Sequence, residues 1–516
     1  MTSAPKGIAS TLALTIGLGL GLGLGSAAAA QDSILRMATS FAIESMDPVS
    51  EGFWLQEFGS GELMMRYEPD GSIVPWLAES LETVDDTTWV LTIRDGVTFQ
   101  NGKPMDVAAV LAAFDYHRQN NAGTAAALGE ALTFEETGPR EITIRTGTPL
   151  PELPSILAHE SRLMVIDVET VLAAGDDYES LEGAGIHTGP YKVMDLDSQR
   201  MISEAYAGYW QGTPAMDGLE LYFVSDENAR TLAVQNGEVD IALYPPVAAK
   251  PVFDATPGVN LVLGPLSSGG FLGYMNVSDG PLTEVPVRQA VMKAINYEEI
   301  AETIFHGTKA APTGLYNPDL AFAVENYEYD TEEAAALLDA AGWVLEGSQR
   351  MRDGEALAIT MLIYPQQPDL IPMTGAMQVY FNELGIASDI VSVDDLTEAT
   401  MSGTVEWDLA LASNGTSSVG AVAGILQRYL ITSGSDNYGG YSNAEIDALV
   451  DEIYVTVDPE ARNALIARVQ EILVEEDPYM FTVTQHRERA LVSDAWITYE
   501  PAVAWNHVKF DTAPAE

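Results

Sequence analysis

The chain contains no cysteine. That excludes disulfides, thiolate metal sites, a cysteine nucleophile and a lipid-modified cysteine. Basic residues are scarce as well: 24 Lys and Arg stand against 76 Asp and Glu, a formal net charge of −52. A field of that sign repels polyanions, so nucleic acid and anionic membrane surfaces are excluded as partners. The acids are spread along the chain and read as solvated surface, so pairs such as Asp85-Asp86 and Asp394-Asp395 carry no weight for acid–base chemistry. The six histidines (His117, His159, His187, His306, His486 and His507) are isolated, with no H-E-x-x-H pattern. There is no G-x-S-x-G elbow and no P-loop. After Gly25 no apolar run reaches the about 18 residues that span a bilayer. No enzymatic constellation remains, and no cofactor or protein-held metal is expected.

The acidic surface makes a first prediction. Like charges repel at low ionic strength and salt screens them, as in chains adapted to saline surroundings. The thermal unfolding midpoint is expected to rise from low salt to about 1 M salt. A midpoint that stays level contradicts this reading.

What is present is a globular chain of 516 residues, 47% hydrophobic and 19% charged, long enough for two or more cores. It begins with Lys6, an apolar stretch from Ile8 to Gly25 and Ala28-Ala29-Ala30, the three parts of a secretory signal peptide. Cleavage near Ala30 and a periplasmic location without a lipid tether are expected.

In Thr87 to Phe114, Trp89, Leu91 and Ile93 alternate with Val90, Thr92 and Arg94, the period of a half-buried strand. Asp95-Gly96 predicts a turn, Val97 to Phe99 a short returning strand, and Asn101 to Pro104 a second turn. Asp106 then caps a helix whose apolar residues are Val107, Val110, Leu111 and Phe114. Glu68 to Gly71 reads as a turn, and Pro75-Trp76-Leu77-Ala78 as the start of a helical stretch. Further on, Ala229 to Val234 predicts a helix, closed by Asn236-Gly237 and followed by a strand at Val239 to Ile241. Asp330 to Trp343 is a capped helix, and Ala356 to Ile363, Pro372 to Leu384 and Ile386 to Val391 read as strand, helix, strand. Such alternation implies largely parallel sheet covered by helices.

The series Trp89, Arg94-Asp95-Gly96-Val97, Phe99, Gly102, Pro104 and Ala108 resembles the signature segment of the extracellular solute-binding proteins of family 5, the periplasmic subunits of peptide and nickel ABC importers. Asp47-Pro48, Glu68 to Ala78, Gly189-Pro190-Tyr191, Tyr209-Trp210, Val287 to Ala290 and the helix pair from Tyr441 to Glu475 follow the same family order, so the resemblance runs from about residue 34 to 510. Overall it leans toward nickel-type members.

The resemblance implies an α/β, two-lobe periplasmic-binding-protein fold of type II, with an extra subdomain in the first lobe. Residues 31–268 would form lobe I, with the inserted subdomain at about 76–188. Residues 269–486 would form lobe II, and residues 487–516 would return to lobe I. It implies capture of a short peptide or an organic metal chelate between lobes, as a monomer, for ABC permease and ATPase subunits. The readings set against it are a secreted hydrolase and a chemoreceptor-coupled binding protein. By the same resemblance Arg162 would grip a solute carboxylate, and Phe53, Trp54 and Trp505 would form apolar walls. Asn414, Thr416, Ser417 and Ser418 would supply hydrogen bonds. The cleft-wall loop reads Val419-Gly420-Ala421-Val422 where peptide-binding members carry an Asp and some nickel-binding members a His. That departure argues against both free-amine capture and direct coordination of nickel by the protein.

Overall fold

The computed structural model describes residues 33–68, 70–159, 162–246, 250–416, 422–502 and 506–515. The expected signal peptide lies outside the described residues. Eleven strands form one long sheet. In chain order they are β1 (Ile34–Thr39), β2 (Tyr191–Leu196), β3 (Arg200–Ala205), β4 (Gly218–Phe223), β5 (Ile241–Leu243), β6 (Val259–Met275), β7 (Lys309–Ala310), β8 (Ala358–Ile363), β9 (Ala387–Ser392), β10 (Leu409–Gly415) and β11 (Met480–Ser493). Their spatial order is β9-β8-β10-β6-β11-β5-β1-β4-β3-β2, with β7 pairing to β11. β9, β8 and β10 pair in parallel, as do β5, β1 and β4, while β3 and β6 pair antiparallel to β4 and β10.

The sheet serves two lobes because its two longest strands pass between them. One hydrophobic core takes its residues from the span Phe271 to Val483. Another gathers Leu35 to Leu243 with Ala490 to Val508, so the chain end packs back on the first lobe. The β6–β11 ladder is regular at each end, Val259 to Leu263 against Arg489 to Ser493 and Leu272 to Tyr274 against Met480 to Thr482. Between these ends its register shifts at Leu263/Leu266, Leu266/Gly270 and Phe271/Leu272. Bulges bend and twist a ladder, and glycines permit close backbone approach, so the middle of this pair is the hinge.

The inserted subdomain has its own sheet. Strand Thr88–Ile93 lies between Ala78–Asp85 and Glu141–Arg145, with Thr133–Gly138 outside. Trp89, Leu91 and Ile93 are its buried residues, as their alternation predicts. Gly96 turns the chain at φ 77, and Asp106 caps helix Val107–Asn120 by accepting from the backbone nitrogen of Ala109 at 2.9 Å.

Two local expectations are corrected. Val97 to Phe99 is not a returning strand; its one bridge joins Thr98 to Pro104, while the partners of Thr88–Ile93 come from residues 78–85 and 141–145. Val97 and Phe99 are buried in the core beneath that sheet. Nor does Pro75 open a helix: Ile73–Pro75 pairs with Met65–Tyr67, and Ala78 already belongs to a strand. Long-range pairing overrides local propensity there.

Buried histidines set the pH response. Burial lowers His117, His159 and His507 to about 4 and His187 to about 3. The unfolded chain protonates them near about 6.5, so their contribution to stability is complete above that pH and is lost as pH falls toward 4. Glu62 opposes them weakly: burial raises its carboxyl to about 6, which adds stability as pH falls from 6 toward 4.5. Glu51, Glu182, Asp408 and Glu488 are raised chiefly by burial and act with Glu62, while His486, held well below its usual range by burial, adds to the histidines. The histidine shifts are the larger, so the thermal midpoint is expected to be lower at about pH 5 than at about pH 7.5. Scanning calorimetry at the two pH values checks it, and a higher midpoint at the lower pH contradicts it.

Candidate functional site

Strand direction decides where the loops collect. β6 runs out of the first lobe through the hinge and β11 runs back. β5 is antiparallel to β11 and parallel to β1; β10 is antiparallel to β6 and parallel to β8. The C-terminal ends of β1, β5, β8 and β10 therefore all arrive at the hinge, from opposite sides. Open α/β sheets bind ligands in the crevice beyond the carboxyl ends of their strands.

The first-lobe wall is aromatic. Trp54, on the helix Gly52–Glu57, stacks on Phe41 at 5.0 Å between ring centroids and lies 4.5 Å from Phe53. The edge of Tyr244 meets Phe41 at 5.7 Å. Phe41 follows β1 and Tyr244 follows β5, so both sit at strand ends that face the hinge. Phe41 is 48% exposed, and Tyr244 holds φ 53, a strained conformation for a bulky residue. Arg230 holds that strand end from beneath, donating to the carbonyls of Leu243 (3.0 Å), Tyr244 (2.8 Å), Val224 (2.7 Å) and Ser225 (3.0 Å). Behind the wall, His507 Nε2 lies 3.4 Å from the Tyr244 hydroxyl and 3.8 Å from the buried carboxylate of Glu57. Burial keeps His507 neutral.

The second-lobe wall is more polar. The amide nitrogen of Asn414 donates to the Tyr274 hydroxyl at 2.8 Å, and the backbone nitrogen of Ser413 to the Tyr364 hydroxyl at 3.1 Å. Thr416 is buried just beyond β10.

The floor carries charge. Lys309 on β7 pairs in register with His486 on β11, and its ammonium lies 4.4 Å from the Phe271 ring centroid. Asp369, ahead of the helix Leu370–Glu383, is its ion-pair partner at 3.5 Å. Burial, then the charge of Arg489, lowers Lys309 to about 8. Arg489 donates from Nε to the Pro245 carbonyl at 3.1 Å, which ties the floor to the first-lobe wall. Glu488 is raised by burial, and His486 is held well below its usual range by burial and then by Lys309 and Arg489.

The lobes also touch away from the floor. Glu152, in the inserted subdomain, accepts from Arg462 Nη2 at 2.8 Å and from the backbone nitrogen of Ala423 at 3.1 Å, both second-lobe groups. Among the described residues no three His, Cys, Asp or Glu are grouped to hold a metal ion, and no helix is long and apolar enough to cross a membrane.

Of the residues anticipated from sequence, Phe53 and Trp54 are brought together in one wall, and Asn414 and Thr416 stand at the end of β10. Arg162 lies in the inserted subdomain, donating from Nη1 to the Gly123 carbonyl at 3.1 Å. Ser417, Ser418 and Trp505 lie outside the described residues. Phe41, Tyr244, Lys309 and Arg489 escaped sequence reasoning. The run His486-Arg487-Glu488-Arg489, continuing an apolar strand in a chain poor in basic residues, was the available signal.

Comparison with known proteins gives one family. The profile described as bacterial extracellular solute-binding proteins, family 5 Middle, matches residues 72–436. The nickel-binding protein NikA of Staphylococcus aureus is 25% identical over 413 residues, 79% of each chain. The glutathione-binding protein GsiB of Escherichia coli is 25% identical over 485 residues, 89% of this chain and 90% of that one. Among solved structures, a nickel ABC transporter protein from Bacillus halodurans superposes with a TM-score of 0.82 at 26% identity, covering 93% of this chain and 99% of the other.

Proposed function

The chain belongs to the bacterial extracellular solute-binding proteins of family 5, and on that premise we propose that it is the periplasmic solute-capturing subunit of an ABC importer for a small peptide-like solute or an organic nickel chelate. The observation that carries this reading is the arrival of four strand ends, two from each lobe, at one bulged hinge. A solute lying there would touch both lobes at once. Contacts that form only when the lobes close shift the open–closed equilibrium, and no covalent step is needed. Trp54, Phe53, Phe41 and Tyr244 offer flat apolar area, and the end of β10 at Asn414 and Thr416 offers hydrogen bonds from the facing lobe. A chelated metal would be held through its organic ligands. The closed form would then engage a membrane permease driven by an ATPase.

Thermal-shift titration and small-angle scattering test this with three probes: glutathione, nickel with L-histidine, and a free tripeptide. At least one is expected to raise the unfolding midpoint and reduce the radius of gyration, because a ligand that binds only the folded form stabilises it by RT ln(1 + [L]/Kd). Failure of all three to do either would remove the reading.

A further inference from the structure

We propose that Lys309 and Arg489 are the carboxylate-holding pair of this cleft, and that the solute it takes is an organic anion with a free carboxylate seated on the hinge floor. The inference rests on the capture reading above and names the chemistry of the solute.

Three observations carry it. First, Lys309 is brought deep into the fold, with a side chain only 4% exposed between the rings of Phe271 and Phe305. Among the described residues its ion-pair partner is Asp369, 3.5 Å away and a third exposed, too long and too open to offset a buried ammonium fully. Second, Arg489 is anchored through Nε to the Pro245 carbonyl, and among the described residues its two terminal nitrogens carry no hydrogen bond. A guanidinium held by one edge presents a planar fork suited to the two oxygens of a carboxylate. Third, His486, in register with Lys309 and next but two to Arg489, has a buried Nε2 without a hydrogen-bond partner among the described residues, and so has Arg487 at Nε on the same strand. Both are ring or guanidinium nitrogens that can donate, so a ligand oxygen placed beside them would satisfy them.

The position fits closure as well. Lys309 belongs to the second lobe's side of the floor and Arg489 is tied to the first lobe at Pro245, so one carboxylate between them would bridge the lobes at the hinge.

Calorimetric titration of the full-length protein tests this with paired probes: a free tripeptide against its C-terminal amide, and nickel with L-histidine against nickel with L-histidinamide. In whichever pair binds, removing the carboxylate is expected to weaken affinity by about tenfold or more, the value of a bidentate charge-assisted contact. Lys309→Met and Arg489→Met are expected to weaken the free acid to a similar extent and to leave the amide's affinity unchanged. Arg489→Lys, which keeps the charge and loses the fork, is expected to recover only part of the loss. Arg162→Ala is expected to bind like the parent chain. Equal affinity for acid and amide overturns the inference even if a variant fails to fold, since that comparison uses the unaltered chain. So does a loss confined to Arg162→Ala. If none of the probes binds, the capture reading falls and this inference falls with it; binding and compaction that ignore the carboxylate leave the capture reading standing and remove only this one.

Discussion

Replacing Arg230 with methionine is expected to cost about 3–5 kcal/mol of stability, although the residue touches no proposed solute group. The residue is 3% exposed, and its guanidinium serves four carbonyl oxygens, those of Val224, Ser225, Leu243 and Tyr244. Methionine fills a similar volume, so packing is largely preserved and the loss is that of donors. Each orphaned buried carbonyl costs about 1–3 kcal/mol, less where water reaches it, which places the sum in the stated range. The same change releases the peptide that holds Tyr244 at φ 53. A relaxed Tyr244 leaves Phe41 and moves the Pro245 carbonyl that anchors Arg489. Urea unfolding measures the first effect and solute titration on the folded fraction the second. A loss below about 1 kcal/mol would mean that the carbonyls find other donors.

The second large effect is expected at Gly270. A Cβ there would lie 2.2 Å from the carbonyl oxygen of Thr484 and 3.3 Å from Thr482 Cγ2. The first contact is with backbone, in the ladder that joins the lobes, so relief requires β6 and β11 to separate at the hinge. Gly270→Ala is expected to lose about 3 kcal/mol, the upper end for overpacking, and to change the angle between lobes measured by scattering. Gly96→Ala serves as the contrast. It has φ 77 with nothing within 4 Å of the added atom, so only the left-handed penalty of about 1–2 kcal/mol applies. A smaller loss at Gly270 than at Gly96 would show that the hinge strands yield easily.

Much of the fold was legible because local chemistry decided it. Asp106 and Asp330 cap the helices that their sequences announce, each accepting from a backbone nitrogen three residues on. Trp89, Leu91 and Ile93 alternate inward as written. The two misread segments both departed from their local signals through the hydrogen bonds they make. Val97 to Phe99 carries a strand signal and Pro75 to Ala78 a helix signal, but the backbone of the first bonds to its own loop at Lys103 to Met105, and the second is taken into ladders with Met65–Tyr67 and Ile93. The site divides the same way. Phe53 and Trp54 stand together on a six-residue helix and could be read as a pair. Lys309 and Arg489 are 180 positions apart in the chain, and the β7–β11 register sets Lys309 opposite His486, three residues from Arg489. Neither residue type nor spacing encodes that meeting.

Glu152 bears on selectivity. Its contacts with Arg462 and the Ala423 nitrogen use protein groups on both sides, so whatever they contribute to closure is the same for every occupant. A bias of this kind raises the binding-competent fraction and multiplies all affinities by one factor, leaving their ratios untouched. Glu152→Gln would therefore shift an entire solute panel to weaker binding in parallel, preserving its rank order. Discrimination between solutes has to come from the hinge floor and walls, while the rim sets only how concentrated a solute must be before it is held.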